Sequence, residues 1–286
     1  MDFYSISSLG RTLDPRYPTN RAVIILVPTI AAIGVLVALI EGDSVVAALI
    51  LGVRIGLASF VSWALTREID PDHSGSAFLS MAIGTLAACL LPGVNLLLTF
   101  WVMALLRILN RTSGAAARWL DTLVISAFSI WLAWTFDWLT GLIAGFVMFL
   151  DGCMDDPLPR HRYIGAGLAA ASLVGFLIGV LSATPHSFSL DLLWGLIPAL
   201  LLVPLLIHSN HILSVADVSG IALNANRIQA AQLVACISAV TLLARKPDGV
   251  EASSLLLACI LGAALYFWGL LLGGRSGDTR SLSNPN

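Results

Sequence analysis

Nearly the whole chain consists of apolar runs long enough to cross a bilayer, and arginines fall in alternate gaps between them. Hydrophobic residues make up 58% of the 286 positions and charged residues 11%, with a mean hydropathy of +0.90. A soluble domain carries roughly a quarter charged residues. The chain therefore reads as an all-α, polytopic integral membrane helix bundle. A hydrocarbon core about 30 Å thick takes roughly 20 apolar residues per crossing, so this length holds about 9–10 transmembrane helices and leaves no room for a soluble catalytic module.

Runs of low polarity predict crossings at 23–40, 45–65, 76–91, 94–109, 119–135, 138–150, 163–182, 190–207, 229–244 and 252–272. Breakers such as Gly42-Asp43, Asp70-Pro71, Pro92-Gly93, Pro157 with Pro159, Pro185 and Pro247-Asp248-Gly249 fall between them. The division is residues 1–22 as an N-terminal segment, 23–273 as the membrane domain and 274–286 as a polar tail. One side collects Arg11, Arg16, Arg21, Arg67, Arg107, Arg111, Arg118, Arg160, Arg162, Arg227, Arg275 and Arg280; Arg245-Lys246 is the violation opposite. By the positive-inside rule both termini face the cytoplasm of a bacterial-type inner membrane. No cleavable leader precedes the first run, which is itself the expected insertion signal.

The formal net charge of -2 and the lack of a basic block give no reason to expect nucleic acid. The four cysteines show no CxxC spacing, so neither a zinc site nor a disulfide framework is expected. Tryptophans near predicted helix ends suggest an aromatic belt. Gly165-Ala-Gly167 and Gly175 with Gly179 suggest helix-packing surfaces.

Charges in or beside spanning helices are costly and default to functional candidates. Arg54 lies about ten residues into its helix and needs a carboxylate, carbonyl or cavity from another helix. At the expected cytoplasmic ends three clusters stand out. Glu68, Asp70 and Asp72 with His73 form the first, and their carboxylates suit a hard cation such as Mg²⁺. In the second, Asp151 and Asp155 are four apart, with Arg160 and Arg162 behind them to meet phosphate. The third is Arg107, Asn110 and Arg111, then Arg118 and Asp121, where two guanidinium groups four apart suit a diphosphate. Each has a plainer reading as a solvated turn or a headgroup anchor. Segment 209–225 places Asn210, Asp217 and Asn224 at intervals of seven, which predicts an amphipathic helix along the interface or a continuation of the eighth crossing. His208 and His211, three apart, are too few for a zinc site.

Thr66-Arg67-Glu68-Ile69-Asp70 after the second crossing and Asp151-xxx-Asp155-Asp156 after the sixth resemble the two Asp-rich motifs of the UbiA-type intramembrane prenyltransferase superfamily. Ser62 and Thr66 stand where its first motif has Asn and its first Asp, so Asp70 alone matches there, and four crossings follow the sixth where the family has three. The resemblance implies Mg²⁺-dependent transfer from an isoprenoid or lipid diphosphate: Asp70, Asp151 and Asp155 as metal ligands, Arg107, Arg111, Arg160 and Asn210 binding substrate, and a membrane lipid or isoprenoid as partner. The alternatives are a permease using Arg54 and the Asn210–Asp217–Asn224 stripe, or a non-catalytic scaffold with a membrane-protein partner.

Overall fold

The computed structural model describes residues 7–10, 13–181, 191–217, 219–245 and 248–274. Arg11, Pro185, Lys246, Pro247, Arg275, Arg280 and the tail beyond residue 274 lie outside the described residues, as does Val218 within 209–225. The described residues form ten α-helices and no sheet: α1 Pro18–Ile40, α2 Val45–Ile69, α3 Ser74–Leu90, α4 Leu96–Asn110, α5 Trp119–Thr135, α6 Trp138–Asp151, α7 Pro159–Leu177, α8 Asp191–His208, α9 Ala225–Leu243 and α10 Gly249–Leu272. Each predicted crossing corresponds to one helix, with shifts of a few residues at the ends.

Local chemistry sets the starts. Side-chain oxygens of Ser44, Asn95, Asp137 and Asn224 accept from the backbone N–H of Ala47, Leu98, Leu139 and Arg227, satisfying donors that a helix leaves unpaired at its first turn. Pro18 and Pro159 open α1 and α7, where a missing N–H costs nothing. Pro28, Pro198 and Pro204 sit inside α1 and α8, a placement membrane helices tolerate.

Five helices, α1, α2, α8, α9 and α10, are long and apolar enough to cross a membrane. The apolar helices α3, α4, α5 and α6 are shorter, at 14 to 17 residues. The short α4 is the axis of the bundle. Its Leu98, Trp101, Leu105, Leu106 and Leu109 are fully buried, and it packs against α2, α5, α6, α9 and α10. Outside that ring, α1 lies on α2, α7 on α6, and α8 on α9 and α10, while α3 fills the space between α2 and α10. Large apolar side chains such as Ile25, Leu36, Ile50, Leu123, Leu177 and Leu200 point outward, as lipid contact requires.

Small residues set the helix spacing. A Cβ on Gly145 of α6 would come within 2.7 Å of both the Gly165 carbonyl oxygen and the Ala169 nitrogen of α7, so these backbones meet almost directly. Gly167 faces open space and packs nothing. Gly175 and Gly179 instead end α7: Gly179 takes φ +70°, and the Gly175 carbonyl accepts from Val180 at 2.9 Å. Trp119, Trp131, Trp134 and Trp194 are exposed, as a belt requires, whereas Trp63 and Trp101 belong to the core. The Trp101 indole donates to Ser129 Oγ at 2.9 Å.

Arg54 finds its partners on another helix: its guanidinium donates to the carbonyls of Ala88, at 3.1 Å, and Pro92. These terminate α3, so the cation sits at the negative end of the α3 dipole.

Replacing Gly145 with Val should overpack the α6–α7 crossing and cost about 1–3 kcal/mol. The expected result is a lower Tm in detergent; a Tm equal to that of the parent would contradict this packing.

Candidate functional site

The ends of α2, α4 and α6 and the starts of α5, α7 and α9 meet at one end of the bundle, and the three polar clusters of the sequence are joined there by direct bonds. Asp151, the last residue of α6, is completely buried. Its Oδ1 accepts from Arg111 at 2.9 Å and from Arg227 of α9 at 2.6 Å, and its Oδ2 accepts from His161 Nδ1 of α7 at 2.7 Å. His161 Nε2 in turn lies 2.8 Å from Thr122 Oγ1 of α5. A buried carboxylate needs this much compensation because desolvation costs several kcal/mol per ion.

Arg227 spreads over the chain around it, donating to the carbonyls of Leu109 at 3.0 Å, Asp155 at 2.6 Å and Asp156 at 3.3 Å. Arg111 terminates α4 in the left-handed region, φ 52°. That bend aims its guanidinium at Asp151 and Asp156 while Arg107 points to Glu68.

Glu68, fully buried on α2, accepts from Arg107 Nε at 3.0 Å and from Thr112 Oγ1 at 2.8 Å. Asn110 holds the Glu68 carbonyl at 2.6 Å, and Gln232 of α9 holds the Ile69 carbonyl at 2.8 Å. Asp70 bonds His73 at 2.8 Å. Burial alone would push the His73 pKa down; the hydrogen bond and negative charge of Asp70, with Asp72 behind, outweigh it and raise the value. The N-terminal segment is tied down at this end too. The Asp121 carboxylate accepts from the Ser8 N–H at 2.9 Å and from the hydroxyls of Ser7 and Ser8, and Arg107 donates to the Leu9 carbonyl at 2.8 Å.

The expected ligands are thus distributed differently from the pattern the spacing suggests. Arg107 and Arg111, expected to aim at one point, diverge to separate carboxylates. Asp155 lies beyond the end of α6, exposed, and accepts from Asn224 at 3.1 Å, so it does not share a helical face with Asp151. Asp70 belongs to the His73 pair, away from the Asp151 hub. No group of three or more His, Cys, Asp or Glu arranged to hold a metal occurs among the described residues. Segment 209–225 is not an interfacial helix among its described residues, and it extends α8 only by one 3-10 turn, to His211. A 3-10 turn, Ser209–His211, leads into a loop closed by an isolated antiparallel pair, Val215 with Ala222. Asp72 fixes this loop by accepting from the N–H groups of Leu213 and Ser214, and its local polar bonds replace the helical ladder that intervals of seven suggested. Asn210 ends up exposed, accepting from Gln229 at 2.8 Å.

Arg160 sits apart from the buried network, on the rim of an open depression of about 570 Å³ lined by Ala116, Ala117, Arg118, Trp119, Leu158 and Arg160 among others. Its guanidinium lies 4.6 Å from the Trp119 ring centroid and donates to the Ala117 carbonyl. The starts of α5 and α7 frame this depression, and α7 carries no side-chain cap. Two guanidinium groups, a tryptophan and the uncapped start of α7 give it a cationic rim, whereas the Asp121 carboxylate already caps the start of α5.

The spacing of charges did not single out Arg227, His161 or Thr122 as members of one network. A usable signal was present for Arg227, a cation three residues into an apolar helix; Thr122 carried none. No family model, no curated protein and no solved structure matches the chain.

Removing the hub carboxylate by Asp151→Ala would leave Arg227 buried without its counter-ion and Arg111 with Asp156 alone, a loss of about 3–5 kcal/mol. Asp155→Ala, at the surface, should change stability by no more than about 0.5 kcal/mol. Thermal unfolding in detergent checks both; equal effects would contradict the hub.

Proposed function

We propose that this multi-pass membrane protein captures the phosphate headgroup of a membrane lipid in the depression between the starts of α5 and α7. The observation that supports it most is the pairing there of Arg118 and Arg160 with Trp119, which is exposed on the rim. Guanidinium forks match phosphate oxygens, and tryptophan favours the depth at which headgroups lie. Positive-inside logic puts this end on the cytoplasmic side. The apolar outer face of α5, with Leu120, Leu123 and Val124 exposed below the rim, is suited to a lipid tail.

A metal-dependent diphosphate transferase would need the hub carboxylate turned toward a cation. Both Asp151 oxygens are instead committed to Arg111, Arg227 and His161, so we assign the phosphate to the Arg118–Arg160 depression. The shared chemistry with the transferase reading is the anionic lipid head.

The test is thermal unfolding in mixed micelles. Phosphatidylglycerol should raise Tm by a few degrees more than phosphatidylcholine does, through preferential binding to the folded state, and the difference should shrink as salt is raised. Arg118→Gln with Arg160→Gln should abolish it. Equal shifts for the two lipids, or a full phosphatidylglycerol shift in the double variant, would overturn the assignment.

A further inference from the structure

Between the two helices that frame the depression, the structure lines up a buried carboxylate, imidazole and hydroxyl. Asp151 Oδ2 holds His161 Nδ1 at 2.7 Å, and His161 Nε2 faces Thr122 Oγ1 at 2.8 Å. The carboxylate fixes the ring orientation, with Nδ1 toward Asp151 and Nε2 toward the hydroxyl; a neutral ring with its proton on Nδ1 would present its Nε2 lone pair there. That is the geometric relation by which an acid orients a base and the base activates a nucleophile, whatever the fold. Arg111 and Arg227 bind the other Asp151 oxygen and keep the carboxylate ionised and immobile. The Thr122 proton has two acceptors in reach, His161 Nε2 and the Arg118 carbonyl at 3.0 Å.

The placement relative to the depression matters as much as the alignment. Thr122 follows Arg118 and Trp119 by one helical turn on α5, and His161 follows Arg160 on α7, so the Thr122–His161 contact lies between the two helices that frame the depression. One turn is about 5 Å. In a glycerophospholipid, the phosphate and the nearer acyl ester carbonyl are separated by a comparable distance. A phosphate held by Arg118 and Arg160 therefore brings an ester toward Thr122. Trp119 and Leu120 belong to the first turn of α5, whose N–H groups lack intrahelical partners, and both residues line the depression; they are the candidate donors to a developing oxyanion.

We propose that Thr122, His161 and Asp151 cleave an acyl ester of a phosphate-bearing membrane lipid, an inference that rests on the lipid-binding reading above. In the first step Thr122 Oγ1 adds to the ester carbonyl carbon and gives its proton to His161 Nε2. The tetrahedral intermediate collapses, the C–O bond to the glycerol oxygen breaks, and that oxygen takes the proton from His161. Water then adds to the acyl-Thr122 ester with His161 as base, releasing the fatty acid and restoring the hydroxyl. Thr122 and His161 are the catalytic residues; Asp151, Arg111 and Arg227 are positioning residues. Leu120 and Leu158 at the rim must part to admit the ester, because Thr122 and His161 are both fully buried.

The experiment incubates the full-length protein with phosphatidylglycerol vesicles and measures released fatty acid, with intact-mass detection of an acyl group on Thr122. The wild type should release fatty acid. Thr122→Val keeps the branched shape without the hydroxyl and should slow release by at least about 100-fold. Thr122→Ser should stay within about tenfold of the wild type. Lipid binding by Thr122→Val, read from the phosphatidylglycerol Tm shift, should be retained, which also reports that it folds. Wild-type protein that binds phosphatidylglycerol but releases no fatty acid would overturn the esterase inference and leave the binding reading standing. Release by Thr122→Val at the wild-type rate would do the same. Absence of both release and binding would overturn both.

Discussion

A carboxylate buried at the end of α6 dictates how this end of the bundle must be built. An ionised Asp151 buried from solvent is tolerable only if donors reach it, and they come from three separate helical elements: the cations Arg111 at the end of α4 and Arg227 near the start of α9, and the imidazole of His161 at the start of α7. Each of those elements is thereby fixed in axial position. The same logic repeats one layer over, where Glu68 draws Arg107 and Thr112 to the end of α2. Because breaking such pairs costs more than making them gains, the network works as a register device. It aligns helices whose apolar faces alone would slide past one another in lipid.

That alignment has a chemical by-product. Drawing α5 and α7 together at their first turns places Arg118 and Arg160 on one rim and Thr122 against His161. The rim carries two guanidinium groups, and the buried contact between the same two helices joins a hydroxyl to an imidazole. The ion pairs, the depression and the hydroxyl thus belong to one construction, in which the buried charges fix the helices that carry the rim arginines.

The helices were legible in the sequence because the hydrophobic pattern is continuous and the breakers between runs are strong; Pro71, Pro92 and Pro157 all fall where chain direction changes. The gathering of alternate arginine-bearing gaps at one end was legible too, since Arg107, Arg111, Arg160 and Arg227 were expected on a common side and are found at a common end. The pairing within that end was not. Asp151 and Asp155 look equivalent by spacing, yet one ends a helix in the core and the other lies beyond it at the surface, and only the point where α6 stops decides between them. Arg107 and Arg111 look like a pair until the left-handed bend at Arg111 separates them. The stripe at Asn210, Asp217 and Asn224 misled because Asp72, about 140 positions away, binds that segment and holds it as a loop. Long-range polar bonds of this kind leave no periodic trace.

Whether the hub holds the helices in register depends on the coupling between Asp151 and Arg227. A double-mutant cycle with Asp151→Asn and Arg227→Met, read as unfolding free energies in detergent, isolates their interaction from the packing each side chain also provides. If the buried hub sets helix register, the coupling energy should reach about 1.5 kcal/mol or more, within the range for residues sharing one network. Strictly additive losses, with a coupling indistinguishable from zero, would mean that the carboxylate and guanidinium do not meet and that the polar end is assembled differently.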